Sequence, residues 1–122
     1  MIPNCIDTSE FYPIKKYTAR NLLKLPNNKK LVLLGSSNLL DHYKGFHLFK
    51  NSIKFLNTSS YHFVFFGNCR YTELESLGVN YSYLGYLNDP ISLRLAYSAS
   101  DVYVAPYMND SFGKTIVESM SC

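Results

Sequence analysis

The pattern of apolar and polar positions alternates between two types of segment along the chain. Short, nearly continuous apolar runs are typical of strands buried on both faces, as in a parallel sheet. Between them, apolar residues recur at helical spacing. The predicted strands are residues 30–35, 62–67, 81–84 and 102–105. The predicted helices are residues 17–25, 44–56, 90–100 and 112–120, with a weak helical turn at 72–77.

Strands that alternate with helices predict right-handed βαβ units and an α/β fold, a parallel sheet with helices on both faces. Ligands of such sheets bind beyond the carboxyl ends of the strands. Gly35, Gly67 and Pro106 stand where three of the predicted strands end, so we expect the site at those loops. Residues 1–13 have no clear period and predict a loop that leads into a domain at 14–122.

Composition and charge narrow the class of protein. The length of 122 residues predicts one domain. Charged residues make up 17% of the chain, below the roughly 25% of an average domain. The net charge is +3, and no run of like charges resembles a nucleic-acid-binding arm. Neither a signal peptide nor an apolar run of membrane-spanning length is visible, which predicts a cytoplasmic protein.

The sequence lacks the motifs of several common kinds of site. No dinucleotide-binding glycine motif, phosphate-binding loop or nucleophile elbow is present, which argues against nicotinamide enzymes, P-loop proteins and hydrolases. The histidines and cysteines have no metal-ligand spacing, so we expect no metal site and free thiols. These residues are His42, His47, His62, Cys5, Cys69 and Cys122.

The segment 106–120 carries the strongest candidate chemistry, because it predicts a strand end, a polar loop and a helix start. The free amides of residues 111–115 and the positive end of the helix dipole favour an anion, and Lys114 adds a charge. Glu118 lies about 9 Å along the helix from Phe112. That separation suits a ribose attached to a diphosphate at the helix tip. A solvated glutamate on an ordinary capped helix is the alternative, since any α/β protein has such helix starts.

This segment resembles the signature of the retaining group 1 (family four) glycosyltransferases of the GT-B fold. The family pattern places seven residues between two acids, with a Phe-Gly turn among them. Asp110 and Glu118 stand at the acidic positions, with Asp110 where the family usually has glutamate, and Phe112 and Gly113 form the turn. Residues 118–122 resemble the start of the family's Glu-Ala-Met-Ala-Cys-Gly run.

Four further segments resemble elements of the same family, in the same order along the chain. Residues 2–7 resemble the Pro-Asn-Gly-Ile-Asp element that leads into the second domain, with cysteine in place of glycine. Residues 44–46 resemble the Lys-Gly element after the first strand, and residues 84–87 the loop that receives the nucleotide base. Residues 98–104 resemble the strand before the acidic motif. Asn38 stands where the family has an arginine.

The resemblance implies a Rossmann-like domain, the C-terminal half of a GT-B fold. Such a domain binds a nucleoside-diphosphate sugar and requires no metal or other cofactor. The implied enzyme is a hexosyltransferase that modifies a polysaccharide or a glycolipid, with a peripheral position at the inner face of the membrane as one option. The acceptor-binding domain would precede residues 1–13, and the helix at 112–120 would lead to a further strand. We therefore expect a truncated domain that is inactive alone.

The resemblance also implies roles for individual residues. Lys44 would hold the donor diphosphate, Asp110 would contact the sugar and Glu118 would hold the ribose. Lys44 and Asp110 are the implied catalytic residues. The implied donor-binding residues are Asn38, Lys44, Leu87, Ser111, Phe112, Gly113, Lys114, Thr115 and Glu118.

Two other interpretations compete with this one. The first is a non-catalytic remnant of a glycosyltransferase, which Asn38 in the arginine position favours. The second is a flavodoxin-like or receiver-type module. That module does not explain the spacing between the two acids, and it would need an acidic cluster where Gly35, Ser36 and Ser37 stand.

Overall fold

The computed structural model of the chain describes residues 6–41, 44–106 and 114–122. The predicted roles of Asp110, Ser111, Phe112 and Gly113 therefore fall outside the described residues. The same holds for the element at residues 2–5.

The described residues form a four-stranded parallel sheet, which confirms the α/β prediction. The strand order is β3-β2-β1-β4, so the first two strands of the chain occupy the centre. β1 and β2 pair in register from Lys30 opposite Tyr61 to Gly35 opposite Phe66. The strands are β1 (Lys30–Asn38), β2 (Tyr61–Asn68), β3 (Tyr81–Tyr83) and β4 (Val102–Tyr103).

Among the described residues, five α-helices accompany the strands in the predicted alternation. They are α1 (Lys16–Leu23), α2 (Phe46–Ser52), α3 (Tyr71–Glu75), α4 (Pro90–Ala99) and α5 (Lys114–Ser121). Short 3-10 turns follow α2 at Ile53–Phe55 and precede β2 at Thr58–Ser60. α4 begins where the sequence predicts it, because Asp89 accepts a hydrogen bond from the backbone of Ser92 (2.9 Å) and Pro90 stands in the first turn, where its ring favours a helical φ.

Most predicted boundaries shift by one to four residues, and two of the differences have a clear local reason. β1 does not end at Gly35 but continues to Asn38. Gly35 lies inside the strand because the Phe66 ring covers it: a Cβ there would lie 2.1 Å from the ring. The helix predicted at 44–56 ends at Ser52, whose hydroxyl bonds to the carbonyl of Phe49 (2.8 Å) and competes with helical backbone pairing.

The strands separate two apolar cores, one on each face of the sheet. Because side chains alternate along a strand, Val64 and Phe66 of β2 face one core and Phe63 and Phe65 face the other. α1 and α4 contribute buried residues to the first core, and α2 and α3 contribute to the second. Helices therefore cover both faces, as predicted.

The segment before α1 has no helix or strand in residues 6–13, yet it contributes to the first core. The Phe11 side chain is 6% exposed, and the Phe11 carbonyl accepts a hydrogen bond from the Ser121 hydroxyl of α5. The Ser98 hydroxyl of α4 accepts one from the backbone of Ile14 (3.1 Å). The sequence pattern does not reveal this packing, since the apolar residues around Phe11 follow neither a helical nor a strand period.

Within the described part of the chain, every helix is too short or too polar to cross a bilayer.

Candidate functional site

Close backbone contacts form the carboxyl edge of the sheet. A Cβ at Gly67 would lie 1.9 Å from the carbonyl oxygen of Ser36, and Gly67 has a φ of +112° that favours glycine. A Cβ at Gly45 would lie 1.8 Å from the carbonyl oxygen of Pro106, again at a positive φ of +75°. Gly45, immediately before α2, therefore lies against the backbone that follows β4. The sequence predicts this edge as the binding site.

The Tyr103 hydroxyl joins three elements at this edge. It donates to the carbonyl of Gly35 in β1 (2.8 Å) and lies 3.0 Å from the hydroxyl oxygen of Thr115 in the first turn of α5. On the opposite edge strand, β3, the Tyr83 hydroxyl donates to the carbonyl of Gly67 (2.6 Å). Each edge strand thus contributes a tyrosine that binds the carboxyl-terminal half of a central strand. The Tyr103 contacts hold the start of α5 against this half of β1.

Glu118 lies one turn further along α5, with 3% of its surface exposed. Its carboxylate accepts a hydrogen bond from the Tyr97 hydroxyl of α4 (2.9 Å). Burial raises the pKa of Glu118, while the Tyr97 hydrogen bond and the charge of Lys114 lower it; the net direction is upward. Glu118 is therefore a buried acid, which excludes the alternative of a solvated glutamate on a surface helix.

The other described candidates occupy the loops around this edge. Lys44 is half-buried, its backbone nitrogen donates to the carbonyl of Asp41 (2.9 Å), and it directly precedes Gly45. Asn38 is exposed at the end of β1, where its side-chain oxygen accepts from the backbone of Leu40 (3.2 Å). These contacts define the positions of the side chains and leave their predicted roles in donor binding as predictions.

The last two described candidates, Leu87 and Lys114, differ in burial. Leu87 is half-buried and packs against the first core, in the loop between β3 and α4. Lys114 is exposed at the first residue of α5. Lys114 and Lys44 thus place two cations at the carboxyl edge, next to the start of a helix. Such an arrangement favours an anionic ligand.

Sequence reasoning missed three residues at this edge: Tyr97, Tyr103 and Ser36. The two tyrosines position Glu118 and Thr115, and their rings contact each other edge to face at 5.8 Å. The sequence did offer a signal for these tyrosines: each places a hydroxyl in an otherwise apolar segment next to the predicted site. Ser36 is 3% exposed, and its hydroxyl has no hydrogen-bond partner in the described part of the chain. A buried polar atom of this kind requires an explanation, such as a bound water or ligand.

A cleft of about 580 Å³ runs beside the outer edge of β4 and along α5. Its lining includes Asp101, Tyr103, Ile116 and Met120, but not Lys44, Asn38 or Glu118. None of the described donor-binding candidates lines the cleft, although Tyr97 and Tyr103 do.

The comparisons with known proteins agree with the fold. A family model described as glycosyl transferases group 1 matches residues 28–122. That range contains all four strands and the helices α2 to α5. A search of curated protein sequences finds no match.

Two solved structures share the fold. Sucrose-phosphate synthase from Thermosynechococcus elongatus superposes with a TM-score of 0.81 at 22% identity, over 99% of this chain and 32% of that one. The C-terminal domain of a glycosyl transferase group 1 family protein from Francisella tularensis superposes with a TM-score of 0.71 at 19% identity, over 96% of this chain and 66% of that one. The chain thus spans about a third of the first protein and about two thirds of the second.

Proposed function

We infer a donor-binding role from one premise: this chain belongs to the group 1 glycosyl transferases, whose family model matches most of its length. We propose that the carboxyl edge of its sheet binds the nucleoside diphosphate of a sugar donor.

One observation carries the proposal: two contacts bring the predicted site residues to one edge. Tyr103 joins Gly35 to Thr115, which brings the first turn of α5 to the end of β1. The Gly45 contact with Pro106 brings the Lys44 backbone to the same region. The parallel pairing of β1 with β4 brings these loops together, and the specific feature of this chain is that the loops carry Lys44 and Thr115. We propose that the diphosphate lies between Lys44 and the start of α5.

Glu118 is the proposed ribose ligand. A carboxylate can accept hydrogen bonds from two neighbouring hydroxyls, and such charge-assisted bonds are stronger in a site with little water. Tyr97 fixes one carboxylate oxygen of Glu118, so the group is oriented before the donor arrives. Because Glu118 is buried, its pKa is raised. Perturbed pKa values of this kind are common at functional sites. The unpartnered hydroxyl of Ser36 at the same edge is consistent with a polar ligand there.

The proposed reaction is transfer of the glycosyl group to a polysaccharide or glycolipid acceptor with retention of configuration. Lys44 and the amides at the start of α5 would stabilise the negative charge that develops on the departing diphosphate. Asp110 would contact the sugar and so complete the site. No metal or cofactor enters the proposal. We propose donor binding for residues 1–122 and do not propose that they complete the transfer alone.

Calorimetric titration of the chain with UDP and GDP tests the proposal. We expect binding of at least one nucleotide, and a loss of at least tenfold in affinity in Lys44→Ala and in Glu118→Gln, since each removes a charge-assisted hydrogen bond. Lys54→Ala is the matched control, because Lys54 is an exposed lysine in the turn after α2. Equal losses in Lys54→Ala would indicate a non-specific charge effect and contradict the proposal.

A non-catalytic remnant without nucleotide binding is the second candidate. Asn38 favours it, because the resembled family has an arginine at this position and Asn38 contributes no charge there. A chain that folds but gives no heat with either nucleotide would support the remnant. Recovery of binding in Asn38→Arg would then show that this one substitution caused the loss.

A further inference from the structure

Positive charge is concentrated in one short part of the chain. Residues 15–30 contain six of the 12 lysines and arginines and no acid. The other six share the rest of the chain with all nine acids. The net charge of +3 therefore combines a strongly basic segment with a mildly acidic remainder. Such an asymmetry favours contact with an anionic surface.

The fold gathers this segment at the amino-terminal edge of the sheet, opposite the donor site. A groove of about 540 Å³ there is lined by Lys16, Tyr17, Lys29 and Lys30, with the buried Arg20 behind them. A second groove of about 550 Å³ continues past the shared Lys29 to Lys24 and His62. We call the surface formed by Lys15, Lys16, Tyr17, Lys24, Lys29 and Lys30 the basic face.

Most of this charge is not neutralised by neighbouring acids. In residues 6–41, 44–106 and 114–122, both ion pairs involve the same carboxylate, Asp101, with Lys16 and with Arg20. Lys29 donates instead to the carbonyl of Ser59 (2.7 Å). The excess charge even acts on a neighbour: burial lowers the pKa of His62, and the charge of Lys29 lowers it further. The basic face therefore carries several cations without a carboxylate partner among the described residues.

An exposed aromatic side chain lies among these cations. Tyr17 is 67% exposed on α1 and lines the groove between Lys16 and Lys30. A tyrosine has an apolar ring and a polar hydroxyl, which suits the boundary between lipid headgroups and acyl chains. The neighbouring lysines have flexible, apolar side chains that can bring their ammonium groups to acidic headgroups.

We propose that the basic face docks on a membrane surface that contains anionic phospholipids. The charge supplies attraction to the acidic headgroups, and Tyr17 supplies the apolar contact that a purely electrostatic surface lacks. Arg20 holds α1 and the following loop in place through bonds to the carbonyl of Ala99 and to Asp101 (2.8 Å each). The docked surface is therefore preformed.

This inference is independent of the proposed donor site. The basic face lies at the start of the strands and the donor site at their ends, so a membrane bound to one leaves the other open. Nucleotide titration and lipid binding can thus fail separately, which keeps the two proposals distinguishable.

Co-sedimentation of the chain with vesicles tests the docking surface. We expect binding to phosphatidylcholine vesicles that contain phosphatidylglycerol, little binding to pure phosphatidylcholine, and release at high salt. Lys24→Glu combined with Lys30→Glu should reduce the partition coefficient at least tenfold, because both lysines are exposed on the basic face. Lys50→Glu combined with Lys54→Glu is the matched control: it changes the net charge equally on and just after α2.

A second pair of variants separates lipid from soluble polyanions. Tyr17→Ser should weaken vesicle binding several-fold, while Leu22→Ser should not, although Leu22 is equally exposed on α1 (64%) and lines neither groove. Circular dichroism of each variant establishes that it is folded. The proposal would be overturned if the Lys24→Glu/Lys30→Glu variant and the Lys50→Glu/Lys54→Glu control lost vesicle binding equally. So would RNA binding as tight as vesicle binding with no effect of Tyr17→Ser, since the face would then be a general polyanion surface.

Discussion

Asp101, at the amino-terminal edge of the sheet, is partly buried, and Glu118, near the carboxyl edge, is fully buried. The surroundings of the two carboxylates differ. Asp101, before β4, accepts hydrogen bonds from Lys16, from Arg20 (2.8 Å) and from the backbone of Leu31 (2.8 Å). Glu118, on α5, accepts one from the hydroxyl of Tyr97 (2.9 Å). Burial raises the pKa of Asp101, but its partners lower it more, to about 2. For Glu118 burial outweighs its partners and the pKa rises.

The difference separates a carboxylate that stabilises the fold from one that the fold tolerates. The two cations and the backbone amide that bind Asp101 connect α1, β1 and β4, so the folded state favours its charged form. Burial disfavours the charged form of Glu118 more than the Tyr97 hydroxyl and the charge of Lys114 favour it, so its pKa is raised in the folded state. We propose that a buried acid held in that way accepts hydrogen bonds from a ligand that brings its own donors. This contrast supports a structural role for Asp101 and a binding role for Glu118.

Asp101→Asn should have the largest effect on stability. The substitution leaves the buried Arg20 without its carboxylate. Because the Asp101 side chain is partly exposed and Arg20 keeps its carbonyl partners, we expect a loss of about 2 kcal/mol. The wild-type contribution should also depend on pH. Because the folded pKa is below the unfolded one, it is present above about pH 3.8 and lost as the pH falls toward 2. Urea unfolding of both chains at pH 7 and across the acid range measures both effects.

Lys16→Met is the control for this prediction. Lys16 also pairs with Asp101, but its side chain is 46% exposed, so solvent screens the pair. We expect a loss of less than about 1 kcal/mol. If Lys16→Met and Asp101→Asn cost the same, the stability of this edge does not depend on the buried Arg20 and the contrast with Glu118 weakens.

Tyr103→Phe should have an intermediate effect and sharpen the comparison at the other edge. It removes the hydroxyl that binds Gly35 and Thr115, while the ring keeps its packing against Tyr97. We expect a loss of about 1 kcal/mol in the free energy of unfolding. Nucleotide affinity should fall more than this stability change suggests, because α5 is no longer held to β1. Tyr83→Phe, which removes the corresponding bond to Gly67 (2.6 Å), should cost similar stability without the loss of affinity.

Much of the fold could be predicted from the sequence because its local signals agree. The apolar runs of β1 and β2 have no competing helical period, and Asp89 with Pro90 defines the start of α4. The end of β1 could not be predicted, because it depends on Phe66 of the neighbouring strand lying over Gly35. The core position of Phe11 depends on packing of residues distant in sequence, and no local pattern reports that.

The candidate site could be predicted in part, through Lys44, Thr115 and Glu118, because helix starts and charged residues leave a signal in the sequence. The burial of Glu118 was not predictable from its position, since it depends on Tyr97 of α4. The network of Arg20 and Asp101 was also missed. The two residues lie far apart in sequence, and an arginine within an amphipathic helix looks like a surface residue until its buried partners are known.

Glu118→Gln should cause the smallest change in stability, and its sign is the sharpest test of the comparison. The folded pKa of Glu118 is above the unfolded value of 4.5, so its contribution to stability is present below pH 4.5 and is lost as the pH rises through the folded pKa. The substituted amide would keep a carbonyl that accepts from Tyr97 but would never ionise. The variant should therefore match the wild type in acid and be more stable than it at neutral pH, while binding nucleotide more weakly. Urea unfolding of both chains at several pH values measures the difference. A variant that is less stable at neutral pH would mean that the Glu118 carboxylate supports the fold as Asp101 does, and the proposed division between the two edges would be wrong.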